Sequence, residues 1–268
     1  MTGNKAIGKQ TFSIHNIHLK ALPRQKQVFF ASDFHLGAPD YTATHTREKK
    51  IVRWLNSIQP EAHALFLLGD IFDGWFEYKQ AIPKGFARLQ GKLADFADQA
   101  IPVYLLVGNH ELGIRDYFLR ELNITVLRNH TAVNIADKTF LVGHGDEFVN
   151  NWPYKFLKKF IYNNPICQWL FRQLHPDVGL PLAAWISNKG HQPNRMANVM
   201  PKKDHILVFC KEKIEPYWHH DFYVFGHLHK PYHAFLHPSS SYYNLGDWIN
   251  HGTYGVFDGA KFEIAQFE

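Results

Sequence analysis

Five short apolar runs, VFFASD (28–33), ALFLLGD (64–70), VYLLVGN (103–109), TFLVGHGD (139–146) and YVFGHLH (223–229), pass without alternation into polar loops. Continuous apolar stretches of this length predict strands buried on both faces. Helical periodicity separates the early ones. THTREKKIVRWLNSI (44–58) carries apolar residues at 51, 54, 55 and 58, and GFARLQGKLADFADQ (85–99) carries them at 86, 89, 93 and 96. Each therefore has one core-facing stripe, and Thr44 with Glu48 reads as the opening of the first helix. Strand–helix–strand alternation predicts an α/β sheet covered by helices. After YYNLGDWIN the period shortens, and Asp258-Gly259 between TYGVF and AKFEIAQF predicts a closing antiparallel hairpin. The expected fold is an α/β sandwich of mixed sheets. Upstream of Val28, TFSIHNIHLK alternates weakly, as an added edge strand would.

Residues 150–203 break this rhythm. They are rich in Trp, Phe and Leu and are punctuated by Pro153, Pro165, Pro176, Pro181 and Pro193, which predicts several short helices broken at the prolines. Lying between two strands with polar ends, this stretch reads as a helical cap inserted into a core of residues 1–149 and 204–268. Its charge sets it apart. It holds eight Lys/Arg (155, 158, 159, 172, 189, 195, 202, 203) against Asp177, a balance of +7 within a chain of net +5, so the rest is about −2. A basic block on a slightly acidic body points to an anionic partner.

Composition narrows the class. At 46% hydrophobic and 15% aromatic residues the chain is globular. No apolar run approaches the ~18–20 residues that span a bilayer. MTGNKAIGKQ lacks the apolar stretch of an export signal, so a cytoplasmic location is expected. Cys167 and Cys210 form no paired motif and are expected to be buried free thiols.

The chemistry sits at the strand ends: Asp33 and His35, Asp70, Asn109 and His110, His144, then His227 and His229. In open α/β sheets such termini converge on one place. Carboxylates with imidazoles suit first-row ions such as Mn, Fe or Zn, and the count suits two ions with Asp70 between them. Two ions about 3.5–4 Å apart clamp a phosphoryl group and acidify a water that attacks phosphorus in line. A neighbouring imidazolium then protonates the leaving oxygen.

DFH (33–35), GDIFD (69–73), GNH (108–110), HGD (144–146) and GHLH (226–229) resemble the motifs of the calcineurin-like metallophosphoesterases. The resemblance implies the four-layer α/β/β/α sandwich. It places one metal on Asp33, His35, Asp70 and His229, and the second on Asp70, Asn109, His144 and His227. Asp70, Asn109 and His110 become the catalytic set, with His110 as general acid and both Asn109 and His110 on the substrate phosphate. Glu111 and Asp146 stand behind the ligands; the family's usual Asp at position 111 orients the adjacent histidine and keeps it protonated. SDFHLGAPD, LLGDIFDGWFEY, HGDEF, NPICQWLFRQLHP and YYNLGDW are further similar to the UDP-2,3-diacylglucosamine hydrolases of Gram-negative lipid A synthesis. That resemblance runs from about Val28 to the C-terminus. It implies pyrophosphate cleavage to UMP and 2,3-diacylglucosamine 1-phosphate, served by two Mn²⁺-like ions.

The insertion agrees with such a substrate. Trp152, Phe156, Phe160, Trp169, Leu170, Phe171 and Trp185 alternate with Lys155, Lys158, Lys159 and Arg172, a composition for acyl chains, pyrophosphate and the anionic inner-membrane surface. Lys189 and Arg195 are the expected contacts to substrate phosphate or sugar. Two departures bear on substrate identity: Glu111 in place of Asp, and Asn150-Asn151 where the subfamily carries an acid. A related phosphoesterase acting on phosphomonoesters, nucleotides or phosphodiesters would share the metal motifs but has less use for the aromatic-basic cap. A scaffold without catalysis would have shed ligands, and none of the seven positions is lost. The basic cap lacks the repeated aromatic stacking motifs of nucleic-acid binders. No protein partner is implied.

Overall fold

The five apolar runs become strands of two adjacent sheets. A computed structural model describes residues 2–7, 10–19, 22–148, 164–189 and 204–268, and only the backbone of 2–16, 188 and 189. Strands β1 (Thr2–Ile7), β2 (Gln10–Leu19), β7 (Thr131–Ile135), β8 (Lys138–Gly143), β9 (Phe222–Phe225), β10 (Pro231–His237) and β11 (Ser240–Leu245) form one sheet, in the order β1-β2-β7-β8-β9-β11-β10. Strands β3 (Gln27–Ala31), β4 (Ala62–Leu68), β5 (Val103–Leu106), β6 (Thr125–Leu127), β12 (Thr253–Phe257) and β13 (Phe262–Gln266) form the other, in the order β13-β12-β3-β4-β5-β6. β3 through β6 run parallel, as do β8 and β9, while the predicted hairpin β12–β13 is antiparallel. The N-terminal residues add two strands rather than one: β1 is the edge, and β2 pairs parallel with β7.

The layers follow from which faces are apolar. Helices α1 (Tyr41–Ile58), α2 (Ala87–Asp98) and α3 (Tyr117–Leu122) cover the six-stranded sheet, burying Ile51, Trp54, Leu55, Leu89, Leu93 and Phe96 against Phe29, Leu65 and Leu67. Between the sheets Phe30 stacks on Phe66 and Phe140, with ring centroids 5.0 and 5.7 Å away. On the outer face of the seven-stranded sheet, Leu141, Tyr223 and Tyr242 meet Ile206, Cys210 and Ile214 from α6 (His205–Phe209) and the π-helical turn that follows it. This is the four-layer α/β/β/α sandwich.

α1 starts three residues earlier than the periodicity suggests, because Asp40 caps it by accepting from the Ala43 amide at 2.8 Å. Thr44 instead accepts from the Gly37 amide, and Glu48 is buried, accepting from the Arg88 and Leu89 amides of α2. Of the insertion, α4 (Pro165–Phe171) and α5 (Pro176–Lys189) are described. Pro165 and Pro176 open these helices, where a missing N–H costs nothing. Pro181 does not break α5 but sits inside it. Cys210 is buried as expected, whereas Cys167 on α4 is only half-buried. Among the described residues no helix is long and apolar enough to cross a membrane.

Candidate metal centre

The carboxyl ends of β3, β4, β5, β8 and β9 face one another, and the side chains that follow them form three overlapping clusters: Asp33–His35–His229, His35–Asp70–His110 and Asp70–His144–His227. Backbone shape puts them there. Asp33, His35, Asp70, His227 and His229 all have positive φ, between 45° and 71°. Non-glycine residues pay for that region with strain, so their concentration here marks a site where position matters more than local comfort. Tight spacing explains two glycines. A Cβ on Gly108 would overlap Asp70 Oδ1, and one on Gly226 would overlap Asp33 Oδ2.

Three imidazoles are held from behind and present their other nitrogen to the centre. His144 Nδ1 donates to the Leu68 carbonyl at 3.0 Å, leaving Nε2 3.1 Å from both Asp70 Oδ2 and Asn109 Oδ1. His35 has Asp73 Oδ1 3.4 Å from Nδ1, and His229 has Asp247 Oδ2 3.5 Å from Nδ1. Their Nε2 atoms lie 3.1 Å apart and face Asp33 Oδ1 at 3.7 and 3.3 Å. Carboxylate–imidazole pairs of this kind fix tautomer and ring orientation around metals. Asp33 also accepts from the His227 amide at 3.0 Å, and Asp70 from the His110 amide at 3.2 Å.

Electrostatically the pocket is two buried anions surrounded by rings. Burial opposes the charge on Asp70, yet His144 and His110 hold its carboxyl well below the usual range; Asp33 is likewise lowered, against burial, by His229 and His35. The same attraction overrides burial at His144 and His35, pushing each up to about 10. Desolvation and the neighbouring His144 push His227 down to about 4, so it stays neutral. Burial disfavours charge on His110 as well, but Asp70 and Asp73 raise it.

Several expected roles shift. Glu111 does not hold His110. Its Oε1 accepts from the Phe72 amide at 2.7 Å, and its Oε2 accepts from the Asp70 and Gly108 amides at 3.1 and 3.2 Å. The longer arm thus ties the loop after β4 to the loop after β5. Asp73 approaches the His110 ring, with Oδ1 3.0 Å from Nδ1. Asp73 and Asp247 were absent from the expected site, although both lie in its quoted motifs: Asp73 is the last residue of GDIFD and Asp247 belongs to NLGDW. Asp146 is buried, and its charge acts on His144 and His227. Arg172 is tied to the core: its guanidinium lies 5.4 Å from the Phe76 ring centroid and donates to the Glu77 carbonyl. Asn150, Asn151, Arg195 and the side chain of Lys189 lie outside the described residues, as do Trp152, Lys155, Phe156, Lys158, Lys159 and Phe160.

The family profile of the calcineurin-like phosphoesterases matches residues 26–231. The chain is 30% identical over 263 residues to the UDP-2,3-diacylglucosamine hydrolase of Porphyromonas gingivalis, covering 91% of this chain and 98% of that one. It is 28% identical over 211 residues to the hydrolase of the same name from Yersinia pseudotuberculosis, covering 76% and 82% of the two chains.

Proposed function

Because this chain belongs to the calcineurin-like phosphoesterases, we propose that it hydrolyses the pyrophosphate of UDP-2,3-diacylglucosamine, releasing UMP and 2,3-diacylglucosamine 1-phosphate. The observation that carries this reading is the 30% identity to the P. gingivalis hydrolase across 91% of the chain.

The donor set fits divalent cations. The buried carboxylates of Asp33 and Asp70 lie among imidazole nitrogens within reach of a shared ion, a donor set that a divalent cation would satisfy. Asp33, His35, Asp70 and His229 would hold one ion; Asp70, Asn109, His144 and His227 would hold the other, with Mn²⁺ the best match and Fe or Zn alternatives. Bound there, the ions supply the positive charge that draws in the phosphoryl group and acidifies an attacking water. The protein's own residues do the rest. Asn109 and His110 contact the phosphate, and His110, raised by Asp70 and Asp73, gives its proton to the departing oxygen. Lys189 and Arg195 reach the phosphate or sugar from the cap.

The cap, residues 150–203, also docks on the anionic cytoplasmic face of the inner membrane. Ile166, Trp169, Leu170, Val178 and Trp185 are exposed on α4 and α5, and support this placement. The test is UMP release from UDP-2,3-diacylglucosamine in mixed micelles with added Mn²⁺. Turnover by the wild type, lost together with bound metal in Asp70→Ala and His144→Ala, is expected. A protein that cleaves other phosphoesters but not this one refutes the substrate; a variant with wild-type turnover refutes the ligand set.

A further inference from the structure

The cap does more than roof the site. Ser187 on α5 hydrogen-bonds through its Oγ to Nδ1 of His110, the ring nitrogen that Asp73 Oδ1 approaches to 3.0 Å. One acceptor comes from the core and the other from the insertion.

The helices that bring Ser187 there are seated on the segment that follows Asp73. Gly74, with φ +102°, lies so close to α5 that a Cβ would stand 3.2 Å from Ala184 Cα and 3.5 Å from Ser187 Cβ. The Tyr78 hydroxyl occupies the space a Cβ on Gly179 would need. Phe171 packs edge-on to Phe76, centroids 4.6 Å apart, and Arg172 donates to the Glu77 carbonyl at 3.2 Å. Residues 74, 76, 77 and 78 are thus each gripped by α4 or α5, and the grip ends at His110.

A ring held by one hydrogen bond can still rock about it; two acceptors sharing one N–H fix its rotation as well. We infer that Ser187 is a positioning residue for His110, setting with Asp73 the direction in which the imidazole Nε2 presents its proton. The seating of the cap is thereby coupled to proton delivery. This rests on the proposed role of His110 as proton donor. Nothing in it requires Ser187 to touch substrate.

The experiment compares wild type, Ser187→Ala and Ser187→Thr, all loaded with Zn²⁺. Phenyl and p-nitrophenyl esters of UMP serve as substrates, because phenolate needs a proton to leave and p-nitrophenolate does not. Ser187→Ala is expected to lower kcat about tenfold on the phenyl ester and less than about twofold on the nitrophenyl ester. KM stays unchanged and Thr restores the rate. In ¹⁵N-histidine NMR the His110 ring nitrogens should shift in Ser187→Ala while those of His144 and His227 stay. Equal loss on both esters, a change confined to KM, or unmoved His110 nitrogens overturns the inference. If the wild type is indifferent to the leaving group, the donor role of His110 falls and the inference with it. If no aryl ester is cleaved, the NMR result decides. If aryl esters are cleaved but UDP-2,3-diacylglucosamine is not, the substrate proposal fails while Ser187 is judged on the same data.

Discussion

Glu111 shows how one methylene is used. Its carboxylate is fully buried, and burial together with the charge of Asp70 pushes it up to about 7, against three backbone amides that favour the anion. Those amides belong to Asp70, Phe72 and Gly108, the backbone that aims Asp70 and Asn109. Glu111→Gln turns an NH₂ toward N–H donors and leaves at least one unsatisfied, which costs about 1–3 kcal/mol; a urea midpoint equal to wild type contradicts the assignment. Glu111→Asp keeps the acceptors but shortens the arm, and turnover should fall by no more than roughly tenfold, ~1.4 kcal/mol in the barrier. Gly226 has no such slack. Its missing Cβ is filled by Asp33 Oδ2 and by Ser32, so Gly226→Ala must push Asp33 aside. Bound metal measured by mass spectrometry should drop, with activity down at least about a hundredfold. Full metal occupancy in that variant would mean Asp33 is not a ligand.

Among the elements, strands were the most legible and helix ends the least. Buried apolar runs announced β3, β4, β5, β8 and β9, because a strand covered on both faces has no polar alternation to confuse it. The start of α1 is ambiguous in the sequence because two capping-competent residues, Asp40 and Thr44, lie four apart; in the fold Asp40 caps the helix and Thr44 is taken up by the Gly37 amide. The ligand positions were readable because each follows a strand; Asp73 was not singled out, since its partners His35 and His110 are 38 and 37 residues away. Asp221 is a similar case, a carboxylate whose value lies across a strand pair. Just before β9 it accepts from the Thr139 amide and hydroxyl and from Lys138, tying together the starts of β8 and β9, the strands whose far ends lead to His144 and His227. Burial resists its charge, yet these donors lower its pKa below the ordinary 3.8. A lowered folded-state pKa means its stabilisation is complete above the unfolded value and fades as pH falls through the folded one. The urea midpoint gap between wild type and Asp221→Asn should therefore be widest near neutrality and close in acid. A gap independent of pH would exclude a role for the charge.

At the scale of the molecule, the proposed division of labour, phosphate to the sandwich and lipid to the cap, is exposed to test at the cap surface. Trp169 and Trp185 keep 58% and 54% of their surface in water, although indoles of their size are usually well covered. Both belong to helices whose other side chains, Phe171 and Ser187, are committed to the core or the site, as is Arg172 just past the first of them. Turning α4 to hide Trp169 would pull Phe171 off Phe76, and turning α5 to hide Trp185 would pull Ser187 off His110. An apolar face fixed outward on a segment whose sequence carries a balance of +7 is suited to a bilayer interface with anionic headgroups. Converting both tryptophans to serine removes two half-exposed indoles from such an interface, roughly 2 kcal/mol of apolar transfer, or about thirtyfold weaker binding. Sedimentation with vesicles of phosphatidylethanolamine and phosphatidylglycerol measures this directly, and hydrolysis of a short-chain analogue in solution should be unaffected. Vesicle binding that survives the double substitution removes these residues from the docking face. Loss of short-chain hydrolysis instead assigns them to the substrate groove.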